Sequence, residues 1–186
     1  MFLLVGLGNK GKKYSDTRHN VGFQIIDKII SQYNFEKEKE TNDSHIFKGI
    51  IFEKKVMLLK PMTFMNNSGK AISKIVSFYK IPLKKIFIIH DDIDLVLSRI
   101  KIKLGGSDAG HNGIKSVDMH IGKEYNRIRV GVGKPTTYLE AKDYVLQKFT
   151  PDELSKLKNK IDILVENIHY LFKNDVNNFL NILASE

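Results

Sequence analysis

The most restrictive feature of the chain is an apolar run at its start, Phe2-Leu3-Leu4-Val5, which gives way to Gly6-Leu7-Gly8-Asn9-Lys10-Gly11 and then to a polar stretch reaching Asn20. Side chains on a strand alternate between its two faces, so a strand that is apolar at every position has both faces covered. Ile86-Phe87-Ile88-Ile89 repeats the pattern. Short buried strands that break into polar loops and return as helices predict an α/β fold with its chemistry at the strands' carboxyl ends. The first loop carries Asn9, Tyr14, His19 and Asn20, and the second apolar run leads into His90-Asp91-Asp92-Ile93-Asp94.

The glycines fit the G-x-G-x-x-G spacing of a dinucleotide site, but their context does not. That motif opens its helix at the glycines and places an acidic residue after a second strand about 20 residues on. Here the polar loop continues through Lys12, Lys13, Tyr14, Ser15 and Asp16, and residues 32–40 are charged and not strand-like. A turn that needs positive φ is the plainer reading of the glycines, although it leaves His19 unexplained.

At 186 residues the chain suits one well-buried domain, residues 1–186. Its formal charge of +9 attracts polyanions, so nucleic acid and phosphorylated ligands are the partner classes to weigh. No apolar run approaches the roughly 20 residues needed to span a bilayer, and Gly6 and Gly8 interrupt the first run too early for a signal peptide. With no cysteine there is no disulfide, thiol nucleophile or cysteine-ligated zinc, which is compatible with the cytoplasm.

Apolar residues at helical spacing predict a core-packing helix over 21–33 and a second one following Ser68. Residues 36–44 read as an exposed connection, and 46–52 and 56–60 as neighbouring strands or a hairpin. Pro61 stops the strand, and Thr63 or Asn66 can cap the helix that follows. Phe64 is either a staple residue or an exposed ring for stacking. Arg99, Lys101 and Lys103 line one face of a strictly alternating strand, either as a phosphate track or as edge protection, with Arg127 and Arg129 adding to that basic face. The glycine-rich segment 105–110 leads to His111-Asn112-Gly113 at a helix start, where Asn112 can cap or bind. Residues 133–138 read as a loop. Thr150-Pro151-Asp152-Glu153 is a strong helix start, and the terminal segment is a packing helix.

His90 and its neighbouring carboxylates suggest either a metal site or an acid that orients an imidazole elsewhere. The second is preferred because no paired-histidine spacing supports a metal, and Asp92 and Asp94 read as solvated loop residues.

Taken together, Gly6-Leu7-Gly8-Asn9, Tyr14, Thr17-Arg18-His19-Asn20-Val21-Gly22, Lys60-Pro61 with Thr63-Phe64-Met65-Asn66, His90-Asp91, and Gly105-Gly106 with Gly110-His111-Asn112-Gly113 resemble the bacterial peptidyl-tRNA hydrolase family over nearly the full length. The resemblance implies a single-domain α/β fold with a twisted mixed sheet flanked by helices and packing helices at the carboxyl end. It implies a monomeric, cytoplasmic enzyme that needs no cofactor or metal. Its substrate would be peptidyl-tRNA, gripped at the acceptor stem and 3′ end, and its reaction would free the tRNA for translation. By position, the family's catalytic histidine falls on His19, its supporting acid on Asp91, and its substrate-binding residues on Asn9, Tyr14, Phe64, Asn66, His111 and Asn112. The basic positions fall on Lys101, Lys103 and Arg129. The chain departs from the family pattern at Lys10, where proline is usual, at residues 95–98, which lack proline and glycine, and at Ser107-Asp108-Ala109, which replaces a more glycine-rich segment.

The implied chemistry is self-consistent. A neutral histidine can take a proton from water, and a carboxylate on its other nitrogen fixes the tautomer. Asn9, with backbone N–H groups of the glycine loops, is the candidate donor to the oxyanion, and Asn9 with Asn66 the candidate check for a blocked amine. The alternatives are a non-catalytic RNA-binding protein on the same scaffold, which intact His19, Asp91 and Asn9 speak against, and a dinucleotide-binding enzyme, which a nicotinamide titration would separate.

Overall fold

The protein is described by a computed structural model covering residues 1–135 and 140–185. In chain order the elements are β1 (Phe2–Gly6), α1 (Val21–Tyr33), β2 (Glu36–Glu40), β3 (Ser44–Ile51), β4 (Lys54–Pro61), α2 (Ser68–Tyr79), β5 (Ile86–Asp92), β6 (Ile100–Leu104), α3 (Asn112–Ile121), β7 (Asn126–Gly131), the single turn α4 (Ala141–Tyr144), α5 (Pro151–Asn167), the short α6 (His169–Phe172) and α7 (Val176–Ser185).

The strands form one seven-stranded mixed sheet in the order β2-β3-β4-β1-β5-β7-β6. β1 pairs in parallel with β4 and β5, and β5 with β7, while β2, β3 and β6 run antiparallel to their neighbours. Alternation divides the central strands between two cores. Leu4, Leu58, Phe87 and Ile89 pack against α1, α5, α6 and α7, and Leu3, Val5, Met57, Leu59, Ile86 and Ile88 pack against α2 and α3. The implied fold, a mixed sheet between helical layers, is therefore the fold found.

Several local expectations change. Residues 36–40 are not a connection but the edge strand β2, whose Glu-Lys alternation leaves every side chain exposed. Its pairing with β3 holds it in place, and its charges suit an open edge. Neither Thr63 nor Asn66 caps α2, whose first turn is entered through a 3₁₀ turn over Met65–Asn67. The cap of α3 is His111, not Asn112. The terminal segment is three helices rather than one, because the helical run is interrupted at Ile168 and again before Val176. The expected loop over 133–138 lies partly outside the described residues, from 136 onward.

Close approach, more than positive φ, explains the first glycines. A Cβ on Gly6 would overlap the Gly22 carbonyl at the start of α1, and one on Gly22 would lie 2.6 Å from the Leu7 amide nitrogen. Only Gly11 of this loop has positive φ, at 107°. The end of β1 and the start of α1 therefore touch backbone to backbone. Gly6→Ala should lower stability by about 1–3 kcal/mol, the usual cost of overpacking, read as a lower urea midpoint at unchanged slope.

Candidate active site

The carboxyl ends of the parallel strands open into a cleft of about 520 Å³. Asn9, His19, Phe64, Asn66, Asp91, His111, Asn112, Lys103 and Arg129 all line it, although they come from distant parts of the chain. Tyr14 does not line it; it is half-buried, with the Lys13 ammonium 4.7 Å from its ring centroid. Lys101 is also outside the cleft, on the exposed face of β6 opposite Arg129.

At the floor, His19 Nδ1 lies 2.8 Å and 3.0 Å from the two Asp91 oxygens. A carboxylate only accepts, so the ring donates from Nδ1, and in its neutral form Nε2 carries the lone pair. Asp91 is the penultimate residue of β5 and is almost fully buried. Burial alone would push its carboxyl up, but the neighbouring His19 and His111 imidazoles hold it well below the usual carboxylate range. For His19, burial pulls the pKa down, and the charge and hydrogen bond of Asp91 more than reverse this, leaving it above the ordinary imidazole value.

The loop that carries His19 is clamped from the carboxyl-terminal side of the chain. His19 N–H donates to the Val145 carbonyl at 2.8 Å and Arg18 N–H to Gln147 at 3.0 Å. The buried Arg18 guanidinium sits 4.6 Å and 4.8 Å from the Tyr144 and Phe149 ring centroids and pairs with Glu153 at 2.9 Å. Glu153 also completes the capping box with Thr150, so the first turn of α5 and the His19 loop share one carboxylate.

Asn9 is fixed at three points. Its N–H donates to Asn20 Oδ1, its carbonyl accepts from Asn20 Nδ2, and its Oδ1 accepts the Met65 N–H, each at 2.9 Å. With Oδ1 committed, the amide offers only its Nδ2 hydrogens to the cleft. Phe64, half-exposed, and Asn66 stand on the adjacent rim, and the Lys10 ammonium lies 5.7 Å from the Phe64 ring. Lys10 thus occupies the usual proline position with a cation held over an aromatic face.

The basic face is smaller than the sequence suggests. Arg127 is buried and spends its guanidinium on Asp118 at 2.8 Å and on the Ser107 and Gly106 carbonyls at 2.8 Å and 3.1 Å. It pins the glycine-rich segment over the sheet and is not an open cation. Asp92 is no solvated loop residue: it is buried at the end of β5 and accepts from Arg129 Nε at 2.7 Å. Asp94 is exposed and pairs with Lys134 at 3.0 Å. In the altered segment, Ala109 adopts φ +50°, in the left-handed region that favours glycine.

His90 faces the helical layer of α2 and α3. Its Nδ1 donates to the Asp91 carbonyl at 2.8 Å, and burial, reinforced by His111, pushes its pKa down to about 3, so the ring is neutral. Among the described residues, the imidazole and carboxylate groups that converge closely enough for a cation to be weighed are His19, Asp91 and His111. Their facing atoms are already hydrogen-bonded to one another at 2.8–2.9 Å, so a cation there would have to displace both ring protons.

A family model described as peptidyl-tRNA hydrolase matches residues 3–186. The chain belongs to the peptidyl-tRNA hydrolase family. Peptidyl-tRNA hydrolase from Wolbachia pipientis wMel is 46% identical over 184 residues, covering 99% of this chain and 100% of the relative. That of Ehrlichia ruminantium (strain Welgevonden) is 48% identical over 181 residues, covering 97% and 93%. The crystal structure of peptidyl-tRNA hydrolase from Acinetobacter baumannii superposes with a TM-score of 0.92 at 33% identity, covering 98% of this chain and 94% of that one. As a member of this hydrolase family the chain is a carboxylic ester hydrolase. Among its described residues no helix is long and apolar enough to cross a membrane.

The sequence did not single out the wall made by Ala141, Lys142, Val145 and Leu146, or the pinning role of Arg127. The one available signal was an arginine alternating with the apolar residues Ile128 and Val130, and it fits a buried ion pair and an open face equally well. Asp91→Asn should bring the His19 pKa below the ordinary imidazole value, because it removes the charge that raises it and leaves the burial that lowers it. An NMR titration of the ring protons that showed no fall would refute the assigned balance.

Proposed function

We propose that the cleft hydrolyses the ester joining a peptide to the terminal ribose of tRNA by direct attack of water, with His19 as general base. The observation that carries this reading is the His19 ring at a cleft, donating from Nδ1 to Asp91, so that its neutral form has a bare Nε2. Water's oxygen adds to the ester carbonyl as its proton passes to Nε2. The tetrahedral intermediate then expels the ribose oxygen, which takes the proton back from the imidazolium. Asp91 fixes the tautomer and stabilises the imidazolium while it exists.

Asn9 supports the other half of the reaction. Its Nδ2, held in place by the Met65 and Asn20 contacts, is a preorganised donor for the oxyanion. The same amide, with Asn66, tests for a blocked amine. An uncharged peptide nitrogen can hydrogen-bond there, whereas a free ammonium would have to lose its hydration. Phe64 and Asn112 on the rim suit stacking and hydrogen bonding to the peptide or the terminal nucleotide. Tyr14, away from the cleft, would act only on a longer substrate that wraps past the loop.

Lys101, Lys103 and Arg129 lie on one face of the β6 and β7 edge, with Lys101 in register with Arg129 and Lys103 with Arg127. Such a strip can hold acceptor-stem phosphates without reading sequence, which suits an enzyme that serves all tRNAs. Arg129 is already half-neutralised by Asp92, so Lys103 at the cleft mouth carries the larger share.

Three measurements test this reading. His19→Ala should lower hydrolysis of labelled peptidyl-tRNA by about 10²–10⁴-fold while tRNA binding remains measurable; binding with undiminished turnover would remove His19 as the base. In the unaltered enzyme the rate should rise with pH through the raised His19 pKa, because only the neutral ring accepts a proton. Lys103→Ala should weaken binding of every tRNA alike and reduce the slope of log affinity against log salt by about one.

A further inference from the structure

We infer that His111 is a positioning residue that sets the basicity of His19 through their shared carboxylate, with its own proton placed by the amino terminus of α3. The inference rests on the proposed role of His19, but its test reads a titration that needs no turnover.

His111 stands immediately before α3, and both of its ring nitrogens are committed within the protein. Nδ1 accepts the Gly113 N–H at 3.1 Å and the Ile114 N–H at 3.2 Å, two of the orphan donors that any helix presents at its start. A ring nitrogen that accepts hydrogen bonds carries no proton, so the hydrogen is on Nε2. That Nε2 donates at 2.9 Å to Asp91 Oδ1, the oxygen that His19 Nδ1 reaches at 2.8 Å. One carboxylate oxygen thus serves two rings. The rings themselves are tilted at 44° with centroids 5.0 Å apart, so neither displaces the other. A direct hydrogen bond from either His111 nitrogen to substrate would break one of these contacts.

Sharing has a definite consequence. Each donor to a carboxylate stabilises the anion and weakens its hold on any other proton. His111 therefore helps keep Asp91 ionised where burial opposes it, and also limits how far Asp91 can raise His19. A base pulled too high is protonated and idle near neutral pH. Because the helix terminus fixes the His111 tautomer, that limit is built into the fold.

The other ionisable groups nearby are otherwise engaged. His90 is neutral and lies edge-on to His111 at 5.0 Å between centroids, Asp92 is paired with Arg129, and Arg127 is tied to Asp118. Lys103 and Lys142 line the same cleft.

Two substitutions separate the roles of the two nitrogens. Asparagine places its side-chain oxygen near the Nδ1 position, keeping the cap and losing the donor to Asp91. Glutamine places its amide nitrogen near the Nε2 position, keeping the donor and losing the cap. An NMR titration of the His19 ring in His111→Asn should show its pKa raised by about half a unit or more, since the lost charge-assisted hydrogen bond is large on the pKa scale. The acid limb of the rate profile for peptidyl-tRNA should move to higher pH with it. His111→Gln should leave the His19 pKa near that of the unaltered protein while lowering the thermal midpoint. The inference fails if the asparagine variant leaves the titration unmoved, or if both variants shift it alike. It fails equally if either variant changes KM alone. Should the glutamine variant not fold, the asparagine variant still decides, because it retains the cap.

Discussion

A single buried carboxylate holds the site together. Asp91 sits at the end of an all-buried strand, where an ion without partners would be neutralised. It remains charged because two imidazoles from different loops donate to it. Removing either partner leaves the other facing an uncompensated charge, so the strand end, the His19 loop and the start of α3 are energetically one unit. The hydrogen bonds also allot protons: with Nδ1 donating to Asp91, the neutral His19 ring keeps its lone pair on Nε2, at the cleft.

The rest of the fold serves that unit. Gly6 and Gly22 let β1 and α1 meet without side chains between them, which sets where the His19 loop must pass. Arg18, stacked between Tyr144 and Phe149, binds the loop to the first turn of α5. Asn20 ties the loop back onto Asn9 and so places His19 and the Asn9 amide in one frame. On the far side, Arg127 fastens the glycine-rich segment by its carbonyls and thereby aims His111. These are buried, multiply bonded contacts, the kind needed to hold reacting groups to within fractions of an ångström.

Charge is distributed with the same division of labour. Buried cations such as Arg18 and Arg127 are structural and paired, whereas Lys101 and Lys103 stand on an open strand edge. Only the second kind can meet a polyanion without a desolvation cost, so the formal charge of +9 overstates the binding surface.

The sequence alone determined the strands and helices whose apolar period was unambiguous, the helix start at Thr150, and the ordered set of short motifs that marks the family. It also marked His19, Asp91 and Asn9, because the loops that follow wholly apolar strands at their carboxyl ends are where α/β folds place chemistry. It could not show that β2 is a strand, since alternating charge without a buried face looks like a loop until a neighbour pairs with it. Nor could it separate Arg127 from Lys103, or reveal that His111 shares Asp91, because those facts depend on which residues meet across the sheet. Local pattern fixes how a segment folds. Which donor reaches which acceptor is decided only when segments far apart in the chain are packed to hydrogen-bonding distance.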